Sequence, residues 1–78
     1  MKDILQKIVL TIVENEDKVE IAETEDEGVL NFTITVDSAD MGRIIGKNGK
    51  VIKAIRNVMK IPAMKNNKKI FISLSENL

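Results

Sequence analysis

Residues 43–56 read RIIGKNGKVIKAIR, and this stretch decides the fold. At its centre is the four-residue segment Gly46-Lys47-Asn48-Gly49, which lies between two apolar segments and among basic residues. Glycine adopts backbone conformations that other residues avoid. A glycine at each end of so short a segment therefore predicts a tight turn between two elements that pack into a core.

The two elements beside the turn are predicted to be helices. The first covers residues 39–45 with Ser38 as its N-cap, and the second covers residues 48–59. Pro62 disfavours helical backbone at Ile61 and is predicted to mark the end of the second helix. On that helix one stripe is apolar and the other side is basic. The apolar residues are Val51, Ile52, Ile55, Val58 and Met59, and the basic ones are Lys50, Lys53, Arg56 and Lys60.

The rest of the chain supplies one more helix and three strands. A capping box at Asp3 and Gln6 with helical apolar spacing predicts a helix over residues 4–14. Alternating or apolar segments predict strands over 18–24 (near a sheet edge), 30–36 and 70–74, with a turn at 25–28 and a basic loop at 63–69. The order α-β-β-α-α-β predicts a single α+β domain over residues 1–78. Three helices would pack on the apolar face of a three-stranded sheet, with the other face in water.

The composition is typical of one small soluble domain. The chain has 78 residues, of which 44% are hydrophobic and 31% charged, and it has no cysteine. A domain of this size buries a modest core, so we expect marginal stability unless it dimerises. No apolar run approaches the roughly 18 residues that span a bilayer. The acidic Asp3 and the lack of a small-residue cleavage site argue against a signal peptide. We expect a cytoplasmic protein with no membrane partner.

The net charge of zero hides an opposition between the two halves. Residues 1–40 contain three basic and eleven acidic residues, whereas residues 41–78 contain nine basic residues and one acidic residue. Such a split predicts an oriented electrostatic surface. The alternative is that the two halves attract each other within the fold. The clustering of the basic residues around the glycine turn favours the first interpretation.

Enzyme chemistry finds no support in the sequence. There is no histidine or cysteine for a zinc site or a histidine-based triad. The carboxylates concentrate in turn segments without matched spacing. The segment from Gly42 to Asn48 is one residue shorter than a nucleotide-binding P-loop and has asparagine where the magnesium-binding hydroxyl belongs. We predict no catalytic residues, no metal and no cofactor.

The turn does suit a chain of phosphates. It opens the second helix, so free N–H groups and the positive end of the helix dipole face outward. Lys47 and Lys50 add full charges. The neighbouring apolar residues could then form a groove for the attached bases, although most of the apolar residues here must belong to the core. They are Ile44, Ile45, Val51 and Ile52.

The segment from Gly42 to Ile55, GRIIGKNGKVIKAI, closely resembles the core motif of KH domains. In that motif an apolar pair precedes G-x-x-G, and isoleucine recurs after it. The resemblance covers the whole chain, because α-β-β-α-α-β is the element order of the type II KH fold. The sequence looks most like the small stand-alone bacterial KH-domain RNA-binding proteins.

The resemblance implies that the G-x-x-G turn clamps the backbone of about four single-stranded nucleotides. Strand residues near Ile70 and Ile72 would form the facing wall of the groove. The chain has only two aromatic residues, so a stacking platform is not expected, and Phe71 is interpreted as a surface or interface residue. The candidate RNA-binding residues are Arg43, Ile45, Gly46, Lys47, Asn48, Gly49, Lys50, Val51, Ile52 and Lys53. The implied role is post-transcriptional regulation or RNA chaperoning.

A second hypothesis is that the KH fold serves mainly in protein assembly, with weak RNA binding of its own. Similar small KH proteins self-associate and pair with a larger KH-containing RNA-binding protein. Here an apolar patch at the end of the second helix predicts a homodimer, with Met59, Ile61 and Pro62 in its interface. The alternative is that Ile61 folds under the following loop into the core.

Overall fold

The computed structural model describes residues 2–77, and for Asn77 the backbone only. The helices are α1 (Lys2–Ile12), α2 (Ser38–Ile45) and α3 (Lys50–Lys65), and the strands are β1 (Glu20–Asp26), β2 (Val29–Asp37) and β3 (Lys69–Asn77). Short 3-10 turns occupy Glu16–Lys18 and Lys47–Gly49. The predicted order α-β-β-α-α-β is confirmed.

The three strands form one mixed sheet in the order β1-β2-β3. β1 and β2 are an antiparallel hairpin in which Ile21 lies opposite Ile34. β2 and β3 are parallel, with Phe32 opposite Ile72. The connection between the parallel strands is the α2–α3 pair, since parallel strands require a long crossover. β1 and β3 are therefore the two edges of the sheet.

The core lies between one face of the sheet and the three helices, as predicted. The buried apolar residues are Leu5, Val9, Val13, Ile21, Leu30, Phe32, Ile34, Val36, Ile44, Ile52, Ile55, Met59, Ala63 and Ile72. On β2 every second residue from Leu30 to Val36 points into this core, whereas Asn31 on the opposite face is exposed. The opposite face of the sheet is thus the solvent face.

The first helix is displaced from its prediction at both ends. α1 includes Lys2, so Asp3 lies within the first turn and is not the N-cap. It ends at Ile12, two residues before the predicted end at Glu14. The reason is that the backbone N–H groups of Glu14 and Asn15 donate to the Asp40 carboxylate, at 3.1 and 3.0 Å. The chain leaves the helix to make these contacts.

The N-terminus of α2 also differs by one residue. Ser38, the predicted N-cap, is the first helical residue, and Asp37 is the N-cap with an extended backbone (φ −61°, ψ 144°). The Asp37 side chain does not cap the helix. It accepts a hydrogen bond from the Asn15 side chain at 3.1 Å instead. Asp37 therefore helps to hold the segment after α1 against α2.

The prediction that Pro62 ends the last helix is wrong, because α3 continues to Lys65 with Pro62 inside it. Met59 and Ala63 are four residues apart on one helix face, and both are buried. Packing of that face outweighs the hydrogen bond that proline removes. The helix ends in a Schellman motif in which the N–H of Lys68 donates to Ala63 O at 2.8 Å and that of Asn67 to Met64 O at 3.1 Å.

Candidate nucleic-acid interface

The turn between α2 and α3 combines three residues with positive φ. Gly46 has φ 74° and ψ 175°, a conformation available essentially to glycine alone. Asn48 (φ 57°) and Gly49 (φ 73°) are left-handed, and asparagine is among the residues that tolerate this region best. The N–H of Gly49 donates to the carbonyl of Gly46 at 3.2 Å and closes the turn. The turn is slightly longer than predicted, because α3 begins at Lys50 and not at Asn48.

Gly46 is also required by close packing. A Cβ atom at this position would lie 2.3 Å from Val51 Cγ2 and 2.9 Å from the Val51 backbone nitrogen. At Gly49 the nearest atom to such a Cβ, Ile52 Cγ2, is 4.0 Å away. Gly46 is therefore fixed by both conformation and space, whereas Gly49 is fixed by conformation alone.

Positive charge surrounds the turn on its solvent side. Lys47, Asn48, Lys50 and Lys53 are exposed. Within residues 2–77 none of the three lysines takes part in an ion pair. The first turn of α3 contains no acidic residue and no side-chain cap. The helix dipole at this end is therefore not compensated by the protein, and the turn can attract an anion.

Arg43 differs from the lysines, since acidic groups hold it. Its Nη2 lies 2.9 Å from Glu14 Oε1, and its Nε lies 3.4 Å from Asp40 Oδ1. Both carboxylates come from the acidic half of the chain. Of the predicted RNA-binding residues, Arg43 is thus the one whose charge is already neutralised within the fold.

A groove lies between α3 and the edge strand β3. A cavity of about 280 Å³ in this groove is lined by Arg56, Lys60, Ile70, Phe71 and Ile72. Arg56 Nη2 donates to the carbonyl oxygen of Ile72 at 3.3 Å and holds the helix to the strand. Ile70 and Ile72, the predicted facing wall, are among the lining residues. Arg56, Lys60 and Phe71 were missed as lining residues, although the spacing of the two basic residues on one helix side was a usable signal.

The sequence that forms this glycine turn between two helices, beside a parallel edge strand, is similar to known proteins. A family model described as the KH domain of KhpA and KhpB matches residues 2–74 of the chain. The chain belongs to the KhpA/KhpB family of KH domains.

Relatives in the KhpA/KhpB family align along almost the whole chain. The RNA-binding protein KhpA of Clostridium acetobutylicum is 36% identical over 74 residues, which cover 95% of this chain and 99% of that protein. KhpA of Listeria monocytogenes is 36% identical over 76 residues, with 97% and 100% covered. KhpA of Aquifex aeolicus is 32% identical over 76 residues, with 97% and 96% covered. The similarity therefore covers all six helices and strands.

The apolar residues on either side of the glycine turn divide into two groups. Ile44 and Ile55 are buried, and Ile52 is only 6% exposed. Ile45 is exposed and Val51 is half-buried. Two of these five side chains, Ile45 and Val51, thus have surface that a ligand can contact, and Val51 packs against the core cluster that contains Ile52.

Asp40 was not identified as a site residue from the sequence. It is the one buried charged residue among those that the structure describes. The pKa of its carboxyl is lowered, first by the hydrogen bond from the Glu14 N–H and then by those from the Asn15 backbone and side chain and by the charge of Arg43. Burial opposes this shift. Asp40 thus joins the segment after α1 to α2, the helix that carries Gly46 at its end.

The predicted interface at the end of α3 needs one correction. Met59 has 0% exposure and belongs to the core, so it has no surface to offer a partner. Ile61 is 59% exposed and does not fold under the loop, while Pro62 is half-buried. Val58, predicted as core, is 46% exposed. Because α3 extends beyond its predicted end at Met59 and includes Ile61, Val58 and Ile61 lie on one stripe with Ala54, at helical spacing.

Two negative findings apply to residues 2–77. Their helices include none with the length and apolar character needed to cross a membrane. The same residues contain no group of three or more acidic, histidine or cysteine side chains that could hold a metal ion.

Proposed function

We propose that the chain binds single-stranded RNA through the turn Gly46–Gly49 and the groove between α3 and β3. The observation that supports the proposal best is the turn itself, in which three residues have positive φ. The N-terminus of α3 that follows it has no side-chain cap, and the lysines beside it form no ion pair within residues 2–77. The relatives that are named RNA-binding protein KhpA support the choice of RNA as the ligand.

In this proposal the turn holds the phosphates. Gly46 and Gly49 have no side chains, so a phosphate can closely approach the backbone of Lys47 and Asn48 between them. Lys47, Lys50 and Lys53 supply the charge, and about four nucleotides occupy the site. Arg43 contributes little because Glu14 and Asp40 already hold it.

The groove holds the bases in this proposal. The exposed part of Ile45 and the half-buried Val51 form one apolar wall, and Ile70 forms the other. Arg56 keeps the two walls at a fixed distance through its hydrogen bond to Ile72. A wall of aliphatic side chains provides few donors and acceptors, so we expect binding with little sequence preference. Such binding suits a post-transcriptional regulator or an RNA chaperone, and sequencing of the transcripts that copurify with the chain tests this role.

The binding experiment compares single-stranded and duplex RNA of mixed sequence by fluorescence anisotropy at low and moderate salt. We expect weak binding of the single strand by one domain, about micromolar, and weaker binding of the duplex. About three phosphate contacts predict a slope of log K against log [salt] near −2. A slope near zero, or equal affinity for duplex, would contradict the proposal.

A second candidate function is protein assembly, and the exposed stripe of Ala54, Val58 and Ile61 favours it. Pairing two such stripes symmetrically would bury them and place two glycine turns in one particle, which raises RNA avidity. We propose a homodimer through Ile61 and Pro62, and the same stripe suits a heterodimer with a larger KH-containing RNA-binding protein. The RNA-binding experiment separates the two candidates, because a chain that serves mainly in assembly binds RNA only weakly on its own. Sedimentation at tens of micromolar tests the homodimer separately.

A further inference from the structure

Phe71 is an exposed aromatic residue at the rim of the groove, where it lines the cavity but lies opposite Asn31 of β2 and so on the solvent face of the sheet. It is 59% exposed and lies on the edge strand β3. The other aromatic residue, Phe32, is buried in the core. The sequence alone favours a surface or interface role for Phe71, but the structure places it where two cavities meet.

The second cavity extends the groove away from the glycine turn. It also has a volume of about 280 Å³, and it shares Lys60, Ile70 and Phe71 with the first cavity. Its other lining residues are Ala63, Met64, Lys68 and Lys69. Lys60 lies ten residues along α3 from Lys50, which is about 15 Å at the rise of a helix. This end of the groove is therefore separate from the phosphate site at the turn.

The rim of the second cavity is basic, and no acidic residue lines it. Lys68 forms an ion pair with Glu25, so its charge is balanced within the fold. Lys60 and Lys69 form no ion pair with any residue in the range 2–77. An apolar floor with two free cations at its edge complements a base attached to a phosphate better than it complements an uncharged apolar side chain.

We propose that Phe71 stacks on a nucleobase of the RNA strand beyond the nucleotides held at the turn, with Lys60 and Lys69 contacting the adjoining phosphates. The inference rests on the proposed RNA binding and lengthens its footprint beyond four nucleotides. Stacking on an aromatic side chain tolerates any base, since every base has a π-face. The extension therefore adds affinity without adding sequence preference.

The first test measures how Phe71 variants bind mixed-sequence single strands of four and eight nucleotides. We expect Phe71→Ala to weaken binding of the octanucleotide about tenfold and binding of the tetranucleotide less than twofold. Phe71→Leu, which keeps an apolar side chain but lacks the π-face, is expected to lose nearly as much as Phe71→Ala. Phe71→Trp, which keeps an aromatic face, is expected to bind the octanucleotide at least as tightly as the parent does.

The second test uses fluorescence, because the chain contains no tryptophan or tyrosine. In Phe71→Trp the new indole is the only strong fluorophore, and stacking on a base quenches it. Ile4→Trp, at an exposed position on α1, is the matched control and should not be quenched. Quenching of Phe71→Trp by the octanucleotide but not by the tetranucleotide is the predicted result.

The outcomes separate this inference from the function on which it rests. If Phe71→Ala binds both oligonucleotides like the parent, or loses affinity equally for both, the stacking site is refuted while RNA binding at the turn stands. If the parent binds neither oligonucleotide, the proposed function itself fails. If Phe71→Ala leaves RNA binding intact but reduces self-association, the residue is a protein contact and the inference is wrong.

Discussion

A Cβ atom placed on Gly46 would lie 2.3 Å from Cγ2 of Val51. This distance is far below any van der Waals contact, and Val51 belongs to the first turn of α3, where it cannot move without moving the helix. Gly46 and Val51 are therefore closely packed, and this packing helps to hold the exposed turn in one conformation. The packing of Gly46 on Val51 joins the end of α2 to the start of α3. Lys47 and Asn48, which lie between them, are exposed to solvent.

The first prediction is that Gly46→Ala destabilises the fold by about 2–4 kcal/mol, from the clash with Val51 together with strain at φ 74°. Gly49→Ala should cost about 1–2 kcal/mol, because its positive φ is unfavourable but the space is open. Gly42 is the control, since it lies in α2 with nothing within 4 Å of an added Cβ, and Gly42→Ala should be neutral or stabilising. Urea unfolding measures all three. Equal free energies of unfolding for the Gly46 and Gly42 variants would contradict the account.

The sequence predicted the element order and the core face because those depend on local signals. The alternation from Leu30 to Val36 and the glycine turn at Gly46–Gly49 are visible without any tertiary knowledge. The end of α3 was predicted wrongly because Pro62 is a local signal against helix. The burial of Ala63 outweighs that signal, but it depends on tertiary packing that the local sequence does not show. The Asn66-Asn67 pair, with Asn67 at φ 54°, was the local stop signal that could have been recognised.

A second prediction concerns pH and Asp40. Because hydrogen bonds from Glu14 and Asn15 lower its pKa in the folded state, Asp40 contributes stability that is present above the ordinary aspartate pKa of about 3.9 and is lost as pH falls through the folded pKa. Asp40→Asn should therefore be less stable than the parent at pH 7, and the gap between them should narrow below about pH 4. Thermal unfolding of both proteins from pH 7 to pH 2.5 measures the gap. A gap that stays constant would show that the charge of Asp40 is not what stabilises the contact.

The third prediction separates Arg43 from the free lysines. Arg43 is held by Glu14, so Arg43→Ala should leave the salt slope of RNA binding nearly unchanged. Lys50→Ala removes an exposed, unpaired charge at the start of α3 and should make the slope shallower by about 0.7. Anisotropy titrations at several salt concentrations compare the two variants. A larger change of slope for Arg43→Ala would mean that the ion pair opens when RNA binds.

The candidate site shows the same division between local and tertiary information. Lys47, Asn48 and Lys50 could be predicted as exposed because a glycine turn places its side chains in solvent. The pairing of Arg43 with Glu14 could not be predicted, since it depends on where the chain passes after α1. The burial of Met59 and the exposure of Val58, one residue apart on α3, depend on the rotation of the helix against the sheet.

The fourth prediction concerns self-association through α3. Ile61→Asp places a charge in the exposed stripe with Ala54 and Val58, so it should give a folded monomer that binds RNA more weakly through loss of avidity. Phe71→Ala is the matched control, because Phe71 is equally exposed at 59% but lies on β3. Sedimentation at tens of micromolar should show a dimer for the parent and the control. A parent that sediments as a monomer without concentration dependence would refute the homodimer.

The most direct test of the account is RNA binding by the double variant Lys47→Asp, Asn48→Asp. Both glycines remain, so the fold should be unchanged by circular dichroism and urea unfolding. The variant Gln6→Asp, Lys7→Asp makes the same change of net charge at exposed positions on α1 and serves as control. At low salt we expect the turn variant to lose at least about tenfold in affinity for single-stranded RNA, and the control to stay within about twofold of the parent. A folded turn variant that binds as tightly as the parent would show that Gly46–Gly49 is not the site.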